Sequence, residues 1–182
     1  MKKLLYLLAI AALIITLPAC SGKIKSAEID GIVWNYEELE DGTLKIYPQY
    51  QTGEDGTRTY TSELINVTVP SEIKGKEVSM LGEQAFLRAD SLVSIEVPQT
   101  VTTIGRECFY GCTALTQITL SQGLTSIDNE AFGMCSSLSE ISLPSSLSSM
   151  GENVFGGCEN LTEINAEPVS YTHLSSSFTE SI

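Results

Sequence analysis

Residues 101–123 read VTTIGRECFYGCTALTQITLSQG and residues 124–146 read LTSIDNEAFGMCSSLSEISLPSS, two strings whose apolar positions coincide when one is laid over the other. The offset of 23 residues continues in both directions. Phe86, Phe109, Phe132 and Phe155 keep it, as do Leu92, Leu115, Leu138 and Leu161, and Ile95, Ile118, Ile141 and Ile164. Three further columns agree: Val97, Leu120 and Leu143; Leu81, Ile104, Ile127 and Met150; Val78, Val101, Leu124 and Leu147. A fixed period shared by six columns is the signature of a stacked repeat. The unit occupies roughly Lys76 to Ala166 in four copies. Val67-Thr68-Val69-Pro70 is an upstream half copy that matches Ile95-Glu96-Val97-Pro98 once five residues around Lys74-Gly75-Lys76 are allowed as an insertion.

Each copy has two local textures. Leu92-x-x-Ile95-x-Val97 alternates like a short strand with one buried side, and Pro98 or Pro144 closes it because proline cannot donate to a ladder. Gly105 or Asp128 then stands where a short helix would want an N-cap, and Cys108, Phe109, Cys112 and Leu115 follow at helical spacing. One strand and one helical turn cannot bury a core alone, so the copies must stack. The expected fold is a leucine-rich-repeat-like solenoid of short parallel β-strands and short helical turns with an N-terminal β-hairpin cap.

The string from Ile104-Gly105 through Ala131-Phe132, Cys135, Leu138, Ile141 and Pro144 resembles the BspA-like leucine-rich repeats. That family is abundant in lipoproteins and cell-wall proteins of host-associated anaerobic bacteria. The resemblance implies surface display, and some members resemble adhesins for host matrix proteins. The asparagine ladder of other leucine-rich repeats is missing here, so their horseshoe curvature is not assumed.

The flanks differ. Lys2 and Lys3 precede an uncharged apolar run, Leu4 to Leu17, too short to cross a bilayer, which reads as the hydrophobic region of a signal peptide over 1–19. It ends in Leu17-Pro18-Ala19-Cys20, which resembles the lipobox of bacterial lipoproteins, although Pro18 departs from the small or β-branched residue usual there. The resemblance makes Cys20 the lipidated first residue of an exported protein, anchored in the outer membrane or at the cell surface, with 20–29 as a tether. Residues 30–70 carry β texture without the period: Ile32, Trp34 and Tyr36 alternate, Leu44 and Ile46 alternate, and Asp41-Gly42 and Asp55-Gly56 signal turns. They are read as a cap over the first solenoid strand, with Trp34 in the core of the cap rather than a sugar platform. The repeats fill 71–167, and 168–182, which holds the lone His173, is an irregular tail or a truncated end.

The chain carries 10 basic and 23 acidic residues, a net charge of −13, and loss of Lys2 and Lys3 with the leader makes it −15. Such a surface repels phosphate backbones, which excludes nucleic-acid binding. No base stands near any serine or cysteine nucleophile, and no phosphate loop, HExxH or EF-hand spacing occurs, so no catalytic residue, cofactor or metal is assigned. Cys112, Cys135 and Cys158 share one repeat column and Cys108 sits in the adjacent one. That placement favours core packing over a disulfide or a metal cluster. Glu37, Glu38 and Glu40 read as a solvated face.

A binding or adhesion module for a protein or peptide ligand is therefore favoured over a structural subunit of a surface complex, with an enzyme a distant third. Strand alternation places one outward row at Ser94, Gln117, Glu140 and Glu163 and another at Glu96, Thr119, Ser142 and Asn165, a flat polar grid. No aromatic residue projects from it, which favours a protein or peptide over a glycan there, including one with basic patches.

Overall fold

The computed structural model describes residues 24–166. The leader, Cys20 and the tail with His173 lie outside them. Three antiparallel strands open the described residues: β1 (Lys25–Ile29), β2 (Ile32–Glu38) and β3 (Leu44–Pro48). Part of the stretch expected as a tether is thus a strand. Its turn is Asp30-Gly31, with φ of 52° and 78°, the left-handed pair of a two-residue hairpin. Ile32, Trp34 and Tyr36 face inward with Leu44 and Ile46, so period-two alternation buries one side of this sheet. A small hairpin, β4 (Tyr50–Thr52) and β5 (Arg58–Tyr60), follows.

The solenoid then winds through β6 (Asn66–Thr68), β7 (Glu72–Ile73), β8 (Lys76–Leu81), β9 (Ser94–Glu96), β10 (Thr103–Ile104), β11 (Gln117–Thr119), β12 (Ser126–Ile127), β13 (Glu140–Leu143), β14 (Ser149–Met150) and β15 (Glu163–Ala166). Each coil contributes two short strands, not one. The second set continues the cap into one sheet ordered β1-β2-β3-β8-β10-β12-β14, with β3 parallel to β8, and β7 pairs with β8 off this path. The cap therefore covers the first coil through direct backbone pairing. The other set forms the grid side, with β6, β9 and β11 parallel and β13 parallel to β15.

The third side departs from the helical turns expected of it: no helix occurs among the described residues. Amides alternate in what they bond. Cys108, Tyr110 and Cys112 donate to Gly105, Glu107 and Phe109, three residues back, at 3.1–3.2 Å. Glu107, Phe109 and Gly111 donate instead to Asn129, Ala131 and Gly133 of the next coil, at 2.7–3.0 Å. A helix would send every amide four residues back within its own coil. Positive φ at Gln84, Glu107, Glu130 and Asn153, and again at Arg88, Gly111, Met134 and Gly157, interrupts any helical run. The residue expected as an N-cap has a steric role: a Cβ on Gly105 would come within 2.8 Å of the Glu83 amide nitrogen.

Inside, Phe86, Phe109, Phe132 and Phe155 stack with ring centroids 5.1, 5.2 and 5.6 Å apart and planes within 13° of parallel. Trp34, fully buried, meets Phe86 edge-on at 6.1 Å and closes the stack at the cap end.

Candidate functional site

The outward rows exist where alternation puts them. Ser94 lies beside Gln117 and Glu96 beside Thr119, and Glu140 lies beside Glu163 and Ser142 beside Asn165, in parallel register. All are exposed except Ser94, which is half-buried and donates its Oγ proton to Asn66 Oδ1 at 2.7 Å. β6 extends both rows by one strand, adding Asn66 beside Ser94 and Thr68 beside Glu96. The half copy Val67-Thr68-Val69-Pro70 carried the signal for these two positions.

The rows are not one continuous grid. No backbone bond joins β11 to β13 among the described residues. Thr116 donates to Val93 O and Thr162 to Ser139 O, at 3.0 Å each, while Ser139 makes no such bond to Thr116. The threonine hydroxyls Thr116 Oγ1 and Thr162 Oγ1 repeat the pattern and Ser139 again does not. At this seam Ile118 and Leu120 are only half-buried, whereas Ile95, Val97, Ile141 and Leu143 are buried. The position that is proline in the flanking copies, Pro98 and Pro144, is Ser121 here, and its Oγ is buried with no partner. The flat surface expected from the spacing is therefore two panels, β6-β9-β11 and β13-β15. A notch of about 350 Å³ lies at the strand ends, lined by Leu120, Ser142, Leu143, Pro144 and Asn165 among others.

The cysteine column packs in the core. Cys112, Cys135 and Cys158 donate S–H to the carbonyls of Phe86, Phe109 and Phe132 at 3.0–3.1 Å, and Cys108 is buried beside them. Burial pushes the Cys112 thiol up to about 12 and Cys108 well above its ordinary value. Cys158 differs in being half-buried. The neighbouring Cys135 thiol holds the pKa of Cys158 below its ordinary value, while that of Cys135 is raised, so Cys158 ionises first. The carboxylates expected on a solvated face are partly paired, Glu37 with Lys45 at 2.9 Å and Glu38 with Lys76.

A family model described as the BspA type leucine rich repeat region matches residues 58–181 in six copies. The chain belongs to the BspA-type leucine-rich repeat family. The match reaches two copies further than the four counted in the sequence and starts within β5. Among solved structures, a leucine-rich repeat protein from Bacteroides capillosus is 26% identical, with a TM-score of 0.63 over 79% of this chain and 99% of its own. A leucine-rich repeat protein from Bacteroides ovatus, 22% identical with a TM-score of 0.55, shares the fold over 76% of this chain and 40% of its own. The pneumococcal vaccine antigen PcpA does so at 19% identity and a TM-score of 0.54, over 79% of this chain and 50% of its own. No curated protein matches. Leucine-rich solenoids of this kind present broad surfaces for protein interaction.

Proposed function

We propose that this BspA-type repeat protein is exported, anchored at the cell surface through Cys20, and binds a protein or peptide ligand on the exposed rows of its grid side. The observation that carries the reading is the direct opposition of Glu140 and Glu163 on neighbouring strands. Like charges directly across a ladder are destabilising, and neither residue has a cationic partner among the described residues. Nothing in packing asks for them, since Gln117 and Ser94 hold the same row with neutral side chains. An arginine- or lysine-bearing ligand would offset the repulsion and gain charge-assisted hydrogen bonds. The resemblance to surface adhesins favours host matrix proteins as the source of such a ligand.

The test is retention of the full chain on immobilised extracellular-matrix proteins and on lysine- and arginine-rich peptides, in low and moderate salt. The Glu140→Ala/Glu163→Ala double variant should bind about tenfold more weakly, with most of the difference lost in moderate salt. Equal retention of wild type and double variant, insensitive to salt, places the binding surface elsewhere. Separately, Cys20→Ala should release the protein from the membrane fraction, and unchanged membrane retention refutes the anchor.

A further inference from the structure

We propose that a cavity on the turn side of the solenoid binds a neutral sugar unit of a glycan, with Tyr110, Arg88 and Glu130 as its recognition groups. The cavity measures about 370 Å³, within the range of small-ligand sites, and is lined by Arg58, Leu87, Arg88, Glu107, Tyr110 and Glu130 among others.

One wall is built and held. The β4–β5 hairpin docks on the first coil through Arg58, whose Nη1 and Nη2 donate to Gln84 O and Gln84 Oε1 at 2.6 Å each. Its guanidinium also lies 4.2 Å from the Tyr50 ring centre. Tyr60 donates its hydroxyl proton to Leu87 O at 2.9 Å, and burial pushes that phenol well up, so it stays a donor. Gln84 Nε2 donates to Glu107 Oε2 at 2.7 Å, and Arg106 pairs with Glu107 Oε1 at 2.8 Å. Arg58 and Glu107 are thereby committed to structure.

Three other lining groups are not. Arg88, the Tyr110 hydroxyl and Glu130 have no side-chain partner among the described residues. Yet two of them are positioned. A Cβ on Gly133 would come within 2.6 Å of Tyr110 Cδ2, so the ring lies against that glycine. Likewise a Cβ on Gly111 would come within 3.1 Å of Arg88 Cγ, so the arginine stem runs along the next coil. The cavity thus offers a ring, a planar fork of donors and a carboxylate acceptor, each unspent.

That set matches a pyranose. A sugar ring presents a face of C–H bonds, slightly positive, to the negative face of an aromatic ring, and neighbouring hydroxyls can accept from a guanidinium while donating to a carboxylate. Charge argues the same way. Two arginines and two glutamates line the cavity, so a net anion or cation meets as much repulsion as attraction. Leu87 is the one apolar aliphatic side chain among the lining residues, too little for the buried anchor a peptide would bring. The grid side, by contrast, presents no aromatic ring.

The fold does not require these residues. The column of Tyr110 holds Leu87, Gly133 and Gly156 in other coils, that of Arg88 holds Gly111, Met134 and Gly157, and that of Glu130 holds Gln84, Glu107 and Asn153. Arg88 and Glu130 even occupy left-handed backbone, at φ of 54° and 55°, where glycine is the easier choice. Each can therefore be replaced by what another coil already carries at the same place.

The experiment prints a panel of glycans rich in neutral hexoses and measures retention of the full chain and of Arg88→Gly, Tyr110→Leu and Glu130→Gln, each checked for an unchanged far-UV spectrum and a cooperative melting transition. Wild type should retain at least one hexose glycan, with about tenfold loss in Tyr110→Leu and Arg88→Gly and a smaller loss in Glu130→Gln. Binding should be indifferent to salt and to the Glu140→Ala/Glu163→Ala change, which keeps its failure separable from that of the grid. No glycan retained by wild type, equal retention by all three folded variants, or salt-dependent capture of charged peptides that these variants abolish would each overturn the proposal.

Discussion

Phe132→Ala tests whether the stack of rings, rather than the strand ladders, holds the coils together. Phe132 is fully buried and lies between Phe109 at 5.2 Å and Phe155 at 5.6 Å, its plane within 12° of both. Truncating a buried phenylalanine costs about 3–5 kcal/mol through lost transfer energy and the cavity left behind. Each aromatic pair adds about 0.5–1.5 kcal/mol beyond burial, and Phe132 loses two, so the upper half of that range is expected. Phe155 has one ring neighbour among the described residues, so Phe155→Ala should cost less by about one such pair. Coils in a solenoid contact only their neighbours, so damage need not spread evenly along the chain. Urea unfolding followed by far-UV circular dichroism, alongside fluorescence of Trp34, the single tryptophan, reads both ends. Trp34 sits on Phe86 at the cap, two rings away from the substitution. In Phe132→Ala the dichroism should begin to fall at lower urea than the Trp34 signal. A midpoint shift worth less than about 1 kcal/mol, or a larger loss for Phe155→Ala than for Phe132→Ala, would refute the stacking argument.

Two other outcomes follow from titrating groups. Among the cysteines of the described residues, iodoacetamide at neutral pH should label Cys158 well before Cys108, Cys112 and Cys135, because Cys158 alone combines partial exposure with a lowered pKa; equal rates without denaturant, read by peptide mass mapping, would contradict this. The turn carboxylates Asp41 and Asp55 each accept from the backbone N–H and hydroxyl of the threonine two residues on, which lowers both pKa values below the ordinary 3.8. A depressed folded value means that the stabilisation is fully present above 3.8 and disappears as pH falls through the folded value. The melting temperatures of wild type and Asp55→Ala should therefore differ at neutral pH and converge in acid, and a constant gap would show that the turn does not depend on the charge.

The period of 23 made the solenoid legible because every buried column had to repeat for the coils to stack, and Phe86 to Phe155 or Ile95 to Ile164 can be read straight down. What the spacing misjudged was local. Cys108, Phe109, Cys112 and Leu115 have helical spacing, but turns that close three residues back instead of four place them inward equally well. The deciding fact, that Glu107 and Gly111 adopt positive φ, is invisible at Glu107 and hinted only by the glycine. The second strand was missed because two residues, such as Thr103–Ile104, are too few to show alternation. β1 was missed for a different reason: its own texture is weak, and the cue was Asp30-Gly31, a turn signal that only makes sense once a partner strand is supposed on its near side.

The outward surfaces show the same division between what packing fixes and what it leaves open. Inward columns are nearly invariant from coil to coil, so they report the fold and say little about ligands. Outward columns vary, and variation is informative where it costs something. Glu140 opposite Glu163 costs electrostatic repulsion, and Arg88 in left-handed backbone costs conformational strain. The charged groups of these residues have no hydrogen-bond or ion-pair partner within the described coils to offset that cost. A neutral residue on the grid or a glycine on the turn side would relieve it, as Gln117 and Gly111 do in their own coils. On the readings proposed above, the two sides call for different chemistry, positive charge on one and a hydroxyl-rich neutral surface on the other. A glycosylated protein with basic segments would meet both at once, engaging the two faces through different chemistry. Occupying both would raise avidity without any new contact between the sites. Retention of such a ligand should then fall more steeply in a variant lacking both Glu140 and Arg88 than in either single variant, whereas ligands serving one face alone would register only one of the two losses.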